Sequence, residues 1–125
     1  MDHRSLEEIE ESYWGDPPED STRLIRTVHE LRHRPVGTLS VEDLRLLVSQ
    51  DVGRDVVVPL ALEVVEREPL AEGDFYPGDL LSALLVRVPA EYWLAHPGQT
   101  ARLRAIEAGD EGLDAELEAF RGAGY

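Results

Sequence analysis

The stretch DLLSALLVRV at residues 79–88 decides the fold of this chain. Its apolar side chains repeat at helical spacing and cover one wide face, formed by Leu80, Leu81, Leu84, Leu85 and Val88. A helix with so broad an apolar face has to be covered on several sides, so we predict that it is the central element of the core. Asp79 suits its first turn, because a carboxylate there meets unpaired N–H groups and the positive end of the helix dipole.

Turn and capping signals predict short helices on both sides of this central one. Towards the N-terminus they lie at about residues 5–15, 21–34, 40–50 and 55–68; towards the C-terminus they lie at 90–95, 98–108 and a last stretch with Leu113, Leu117 and Phe120. The pattern predicts an all-α fold, a single-domain orthogonal bundle of about seven or eight short helices. The domain spans residues 1–125, with 1–4 and 122–125 expected to fray.

Five residues define these helices more closely. Ser40, followed three residues later by Asp43, approximates a capping box, and Ser21 is a good N-cap for the second helix. Tyr13 extends the apolar face of the first helix. The fourth helix begins near residue 55 or at Pro59, because proline suits a first turn and removes a hydrogen-bond donor from a strand.

Composition excludes several classes of protein. Of the 125 residues, 42% are hydrophobic and 30% are charged, which is typical of a soluble globular domain that folds by itself. The chain has no cysteine, so disulfides, thiolate metal sites and cysteine nucleophiles are excluded. No apolar run approaches the roughly 18 residues of a membrane span. We therefore expect a cytoplasmic protein that does not bind membranes.

The net charge of −14 is concentrated in two regions. Residues 1–20 contain eight acidic residues and one basic residue, and residues 55–79 contain seven acidic residues and one basic residue. Such a surface repels nucleic acids and anionic membranes and attracts basic proteins, although acidity can also serve solubility alone. The basic residues cluster only at Arg23, Arg26, Arg32 and Arg34, without the interleaved aromatics of a nucleic-acid site. Arg32 and Arg45 are instead predicted to form internal ion pairs.

One motif could carry chemistry: His29-Glu30-Leu31-Arg32-His33 matches H-E-x-x-H. On a helix this spacing places two imidazoles on one face, where they can bind Zn²⁺ beside a glutamate base. A zinc hydrolase also needs a third ligand and a cleft, and the predicted helix ends just after His33, before Pro35. We therefore favour surface histidines, with no metal and no cofactor, and keep a small zinc-dependent hydrolase as an alternative.

The loop between Asp74 and Asp79 is a second candidate. A carboxylate pair can perform acid–base chemistry when its surroundings separate the two pKa values. The favoured interpretation is structural: Phe75 and Tyr76 pack into the core, and Asp79 caps the helix that follows. No glycine-rich phosphate loop or nucleophile motif is present, so the sequence offers no catalytic residues.

Several segments together resemble the immunity proteins of bacterial contact-dependent growth inhibition (CDI) systems. They are LSVEDLR at 39–45, VPLALE at 58–63, Pro69-Leu70 and GDFYPGDLL at 73–81, with thinner similarity at Trp14-Gly15, Leu31-Arg32, Pro35 and Trp93. The resemblance implies a small, non-catalytic helical protein that binds and neutralises a toxin from a neighbouring cell, most often a ribonuclease or other nuclease. It also implies a scaffold role for Pro59, Asp74, Phe75, Tyr76, Pro77, Gly78 and Asp79.

The expected partner is therefore the C-terminal domain of a cognate toxin, bound one-to-one by a monomer or weak dimer. Charge favours exposed acids of the two negative regions as contacts, namely Asp16, Glu19, Asp20, Glu66, Glu68 and Glu72. Tyr13 or Trp14 could add an aromatic anchor, but Trp14 is favoured as a buried residue at the end of the first helix. An adaptor whose partner is not a toxin remains a second alternative.

Overall fold

Eight α-helices and one 3₁₀ turn make up the computed structural model of residues 3–125, the part of the chain that the structure describes. The helices are α1 (Leu6–Glu10), α2 (Arg23–His33), α3 (Val41–Ser49), α4 (Arg54–Arg67), α5 (Asp79–Arg87), α6 (Ala90–Ala95), α7 (Pro97–Arg104) and α8 (Glu111–Gly122). The 3₁₀ turn is Val36–Thr38. The predicted all-α bundle is confirmed, and no strand occurs among these residues.

Helix α5 is the centre of the bundle, as its sequence predicts. Leu80, Leu81 and Leu84 are fully buried, and α5 packs against α3, α4 and α8. Trp93 of α6 is also buried, and its ring meets Phe120 of α8 edge-to-face at 5.4 Å between centroids. The face that packs against the core therefore extends almost around α5, which is why its sequence is apolar at so many positions.

The capping signals are correct for α3 and one residue early for α2. Ser40 and Asp43 form the predicted capping box, with Asp43 N donating to Ser40 Oγ at 3.1 Å. In α2 the N-cap is Thr22, not Ser21, and Ile25 N donates to its hydroxyl at 3.2 Å. Ser21 is used differently, because its N–H closes a turn onto the carbonyl of Pro18 at 3.0 Å.

Two helices are shorter than predicted. Helix α1 ends at Glu10, because Glu11 adopts a left-handed conformation (φ 52°), so Tyr13 lies beyond the helix. Helix α7 ends at Arg104 rather than near residue 108. The chain turns away there, and Arg121 of α8 donates to the carbonyls of Arg104 and Ile106, both at 2.9 Å. None of the helices in residues 3–125 combines the length and hydrophobicity needed to cross a membrane.

Pro59 lies inside α4 and not in its first turn. The helix begins at Arg54, five residues earlier, so the ring of Pro59 removes one hydrogen bond to the carbonyl of Asp55. Asp55 is exposed, and water can satisfy that carbonyl. The first of the two predicted starts, near residue 55, is therefore correct.

The predicted fraying of residues 1–4 concerns a segment that is only partly described. Met1 and Asp2 lie outside the described residues. The carbonyl of Arg4 accepts a hydrogen bond from Val36 N at 2.9 Å, and Ser5 forms a bridge with Pro35. The chain is thus attached to the 3₁₀ turn from residue 4 onwards.

Candidate functional site

Residues 11–21, which we call the acidic loop, connect α1 to α2 on the surface. Asp16, Glu19 and Asp20 are exposed, and their carboxylates have no ion-pair or hydrogen-bond partner among residues 3–125. Arg26 of α2 supports the loop, donating to the carbonyls of Glu19 at 2.6 Å and Ser21 at 3.2 Å. Three of the predicted contact residues are therefore brought together as uncompensated charges on a supported backbone.

Trp14, in the same loop, is not buried as predicted. Its side chain is 48% exposed, because α1 ends at Glu10 and leaves Trp14 on the surface. One side of the indole is packed: the Arg32 guanidinium lies 4.1 Å from the ring centroid, and the His29 ring lies edge-on at 5.2 Å. Trp14 is thus half-exposed and fixed from one side. Tyr13 is 67% exposed.

Arg32 connects these parts, and its predicted internal ion pair is confirmed. It is buried, pairs with Glu10 at 2.5 Å and donates to the carbonyl of Ser12 at 2.5 Å. The same guanidinium supports Trp14. Arg32 therefore fixes the start of the acidic loop on α2 through three separate interactions.

An apolar groove of about 170 Å³ lies beside Trp14. It is lined by Trp14, Leu24, Ile25, Val28, His29, Gln50 and Val52. Leu24 and Ile25 belong to the apolar stripe of α2 but are 39% and 43% exposed, since the N-terminal half of α2 extends past the core. Apolar surface bordered by charge is the usual composition of a protein-binding site.

The H-E-x-x-H motif does not assemble a metal site. His29 Nδ1 lies 3.3 Å from the carbonyl of Gly15, whereas His33 Nδ1 lies 2.8 Å from Glu7 Oε1. Glu30 pairs with Arg34. Within residues 3–125, no three histidine, aspartate or glutamate side chains are grouped so that they could hold a metal ion.

The second predicted acidic group is less uniform. Glu66 pairs with Arg102 of α7 through two hydrogen bonds, one of them 3.1 Å long, and this hydrogen bonding lowers the pKa of Glu66. The carboxylates of Glu68 and Glu72 are exposed and unpartnered among the described residues. One of these three charges is therefore already compensated within the chain.

Residues 73–78, which we call the aromatic loop, correct another prediction. Phe75 and Tyr76 are 69% and 47% exposed instead of packing in the core. The reason is the buried carboxylate of Asp79, which accepts hydrogen bonds from Gly73 N at 2.6 Å and Phe75 N at 3.1 Å. Asp79 lies in the first turn of α5 as predicted, but it organises the loop instead of capping its own helix.

Helix α3 fixes the aromatic loop from a second side. Glu42 Oε1 accepts a hydrogen bond from Asp74 N at 2.9 Å. Arg45 forms the predicted ion pair, binding both carboxylate oxygens of Glu42 at 2.6 Å, and its guanidinium lies 4.4 Å from the Phe75 ring centroid. The loop is therefore held through its main chain and through one face of Phe75.

The Glu42–Arg45 pair makes the stability of this region dependent on pH. The hydrogen bond from Arg45 lowers the pKa of Glu42 below its ordinary value of 4.5. Because the pKa is lowered in the folded state, the pair stabilises the protein above pH 4.5, and this contribution disappears as the pH falls through the lowered value. We expect Glu42→Gln to cost about 1 kcal/mol at pH 7, and we expect the difference from wild type to shrink as the pH falls below 4.5, measured by urea unfolding. A difference from wild type that does not change with pH would contradict this.

A cleft of about 220 Å³ lies behind the aromatic loop, between α3, α5 and α8. Its lining includes Arg45, Ser49, Phe75, Tyr76, Asp79, Ser82, Val86, Arg87 and Glu116. Ser82 Oγ donates to Glu116 Oε1 at 3.1 Å. The other carboxylate oxygen, Glu116 Oε2, is buried and has no hydrogen-bond partner among the described residues.

Sequence reasoning missed the apolar groove and the cleft. One signal was available for the aromatic loop: Phe75 and Tyr76 stand between Gly73 and Pro77-Gly78, and turns that rich in glycine and proline run over the surface. No such signal exists for Glu116, which reaches the cleft from a distant helix.

Comparison with known protein families gives a match. The sequence profile of the CDI immunity proteins matches residues 8–103, from within α1 to near the end of α7. No curated protein matches the chain. The acidic loop, the apolar groove and the aromatic loop all lie inside the matched residues, whereas Glu116 on α8 lies outside them.

Proposed function

The chain belongs to the family of CDI immunity proteins, and from this premise we propose that it neutralises its cognate toxin in the cytoplasm by one-to-one binding. The bound protein covers the active site or substrate groove of the toxin and catalyses no reaction itself. We further propose that the toxin is a ribonuclease or other nuclease. Family membership favours this function over a zinc hydrolase or a non-toxin adaptor.

One observation supports the proposal most directly: uncompensated carboxylates lie beside exposed apolar surface. The carboxylates of Asp16, Glu19 and Asp20 have no partners among the described residues, and the groove beside Trp14 is apolar. A nuclease presents basic side chains to the phosphates of its substrate. An acidic protein competes for those side chains, and charge complementarity of this kind speeds association.

Trp14 supplies the kind of anchor that such an interface needs. Binding energy concentrates in a few buried aromatic and arginine side chains, and rim charges mainly govern the association rate. Because Arg32 and His29 already pack one side of Trp14, little side-chain entropy is lost when a partner covers the other side.

Co-expression tests the function. The toxin domain encoded beside this gene should stop growth when produced alone, and growth should recover when this protein is produced with it. The purified pair should form a one-to-one complex in which nuclease activity is lost in proportion to the protein added. Growth arrest that persists despite ample immunity protein, or a complex that retains full activity, would overturn the proposal.

The position of the charged contacts has its own test. We expect Asp16→Asn/Glu19→Gln/Asp20→Asn to slow association with the toxin by about tenfold at low salt and to flatten its salt dependence. The comparison variant, Glu66→Gln/Glu68→Gln/Glu72→Gln, changes the net charge by the same amount at the second predicted acidic group, and we expect a smaller effect there because Arg102 already pairs Glu66. Stopped-flow rates that fall equally in both variants would show that only overall charge matters.

A further inference from the structure

We propose that the aromatic loop and the cleft behind it form a second half of the toxin-binding surface, in which Glu116 receives a lysine or arginine side chain of the toxin. This inference rests on the proposed function. The inference adds to that function a rigid aromatic anchor and a pocket for one cationic side chain of the toxin.

The aromatic loop is preorganised for contact. Three of its main-chain N–H groups are bound by Asp79 and Glu42, and the Arg45 guanidinium packs on one face of Phe75, so the loop is fixed before a partner binds. Phe75 is nevertheless 69% exposed, and Val86 on α5, which lines the same cleft, is 61% exposed. The resemblance implied a scaffold role for Phe75 and Tyr76, but side chains this exposed do not fill the core. Rigid exposed aromatics beside an open cleft are typical binding anchors.

The chemistry of the cleft defines what it accepts. Arg45 is already paired with Glu42, and Asp79 accepts two main-chain hydrogen bonds. Among the described residues that line the cleft, the buried polar atom without a hydrogen-bond partner is Glu116 Oε2. A buried carboxylate oxygen without a partner is destabilising until a donor reaches it. The strongest donors for a carboxylate are lysine and arginine, the residues in which a nuclease surface is rich.

The size of the cleft suits one long side chain. Its volume is about 220 Å³, and one water occupies about 30 Å³ of the liquid. The cleft therefore has room for several waters or for a single lysine or arginine, but not for a folded segment. Ser82 fixes Glu116 by donating to Oε1, which leaves Oε2 available to the incoming group.

The cleft and the apolar groove both reach the C-terminal end of α3. Ser49 lines the cleft, and the next residue, Gln50, lines the groove beside Trp14. Successive residues at a helix end lie on neighbouring faces, so one partner surface can cover both depressions. An interface of standard size takes about 800 Å² from each partner, which is more than a groove of this size supplies alone. Continuity with the proposed toxin-binding face therefore favours the toxin as the occupant.

Affinity measurements with the toxin domain test this inference. We expect Phe75→Ala, Val86→Glu and Glu116→Gln each to weaken binding about tenfold or more by calorimetry. The matched control is Leu94→Ala on α6, since Leu94 is 65% exposed and lines neither depression. The affinity of this variant for the toxin domain should equal that of the wild-type protein. Unfolding in urea should show that Glu116→Gln is at least as stable as wild type, because a carboxylate charge with one buried, unpartnered oxygen is gone.

Arg87 provides the critical check, because it lines the same cleft and has no ion pair among the described residues. If Arg87 pairs with Glu116 in solution, Glu116→Gln and Arg87→Ala will both lower stability and Glu116→Gln will not weaken binding; that result overturns the inference. The inference also fails if Phe75→Ala and Val86→Glu bind the toxin domain as tightly as Leu94→Ala does. Tight binding by the wild-type protein in the same experiment would leave the proposed function intact. No binding by the wild-type protein overturns the proposed function itself.

Discussion

Gly78→Ala is expected to lower the free energy of unfolding by about 3 kcal/mol. Gly78 joins the aromatic loop to α5 with φ +86°, a conformation that L side chains rarely adopt. An added Cβ would also lie 2.3 Å from Leu113 Cδ1, and Leu113 is buried against α5. Backbone strain and overpacking therefore add together. Urea unfolding measures the loss.

Gly15→Ala separates the two causes. Gly15 also has a positive φ, +74°, but nothing lies within 4 Å of its added Cβ. Its substitution should cost only the backbone strain, about 1 kcal/mol. If both variants lose the same stability, the contact with Leu113 contributes nothing and the packing argument is wrong.

Arg32→Met is expected to cost about 2–3 kcal/mol. Breaking a buried ion pair by removing one partner usually costs about 3–5 kcal/mol, but the side chain of Glu10 is 31% exposed and water can solvate it, which reduces the cost. The substitution also removes the support of Trp14 and the hydrogen bond to Ser12. Trp14 fluorescence should become easier to quench with acrylamide, and toxin affinity should fall with it.

Arg34→Met is the matched control for this change. Arg34 is two residues further along and pairs with Glu30 and Asp43, but it is 46% exposed. Exposed pairs contribute under about 1 kcal/mol, so its stability and its Trp14 quenching should stay close to those of wild type. If Arg34→Met lowers the free energy of unfolding as much as Arg32→Met does, then burial of the ion pair does not determine the loss of stability.

The helices could be predicted because their signals are local. The apolar spacing of α5 and the Ser40–Asp43 capping box each lie within a few residues of the structure they specify. The position of Trp14 could not be predicted in this way. It depends on the left-handed conformation of Glu11, which ends α1 early, and no residue type there demands that conformation.

The sequence predicted the charged residues of the candidate site but not the arrangement of its loop and cleft. The acids of residues 16–20 stand in a turn-rich stretch, and they are exposed as their composition suggests. The direction of Phe75 depends instead on Glu42, a residue more than 30 positions earlier, and the cleft needs Glu116 from α8. Contacts between distant segments of this kind leave no periodicity in the sequence.

The main-chain anchoring of the aromatic loop makes positions 75 and 76 exchangeable. Asp79 and Glu42 bind N–H groups, which every amino acid except proline provides, so the backbone can keep its path while the displayed side chains change. Recognition can then diversify on a constant framework, much as an antibody varies a loop on a fixed sandwich. A combinatorial library at these two positions is therefore a direct route to redirecting the protein towards a non-cognate toxin.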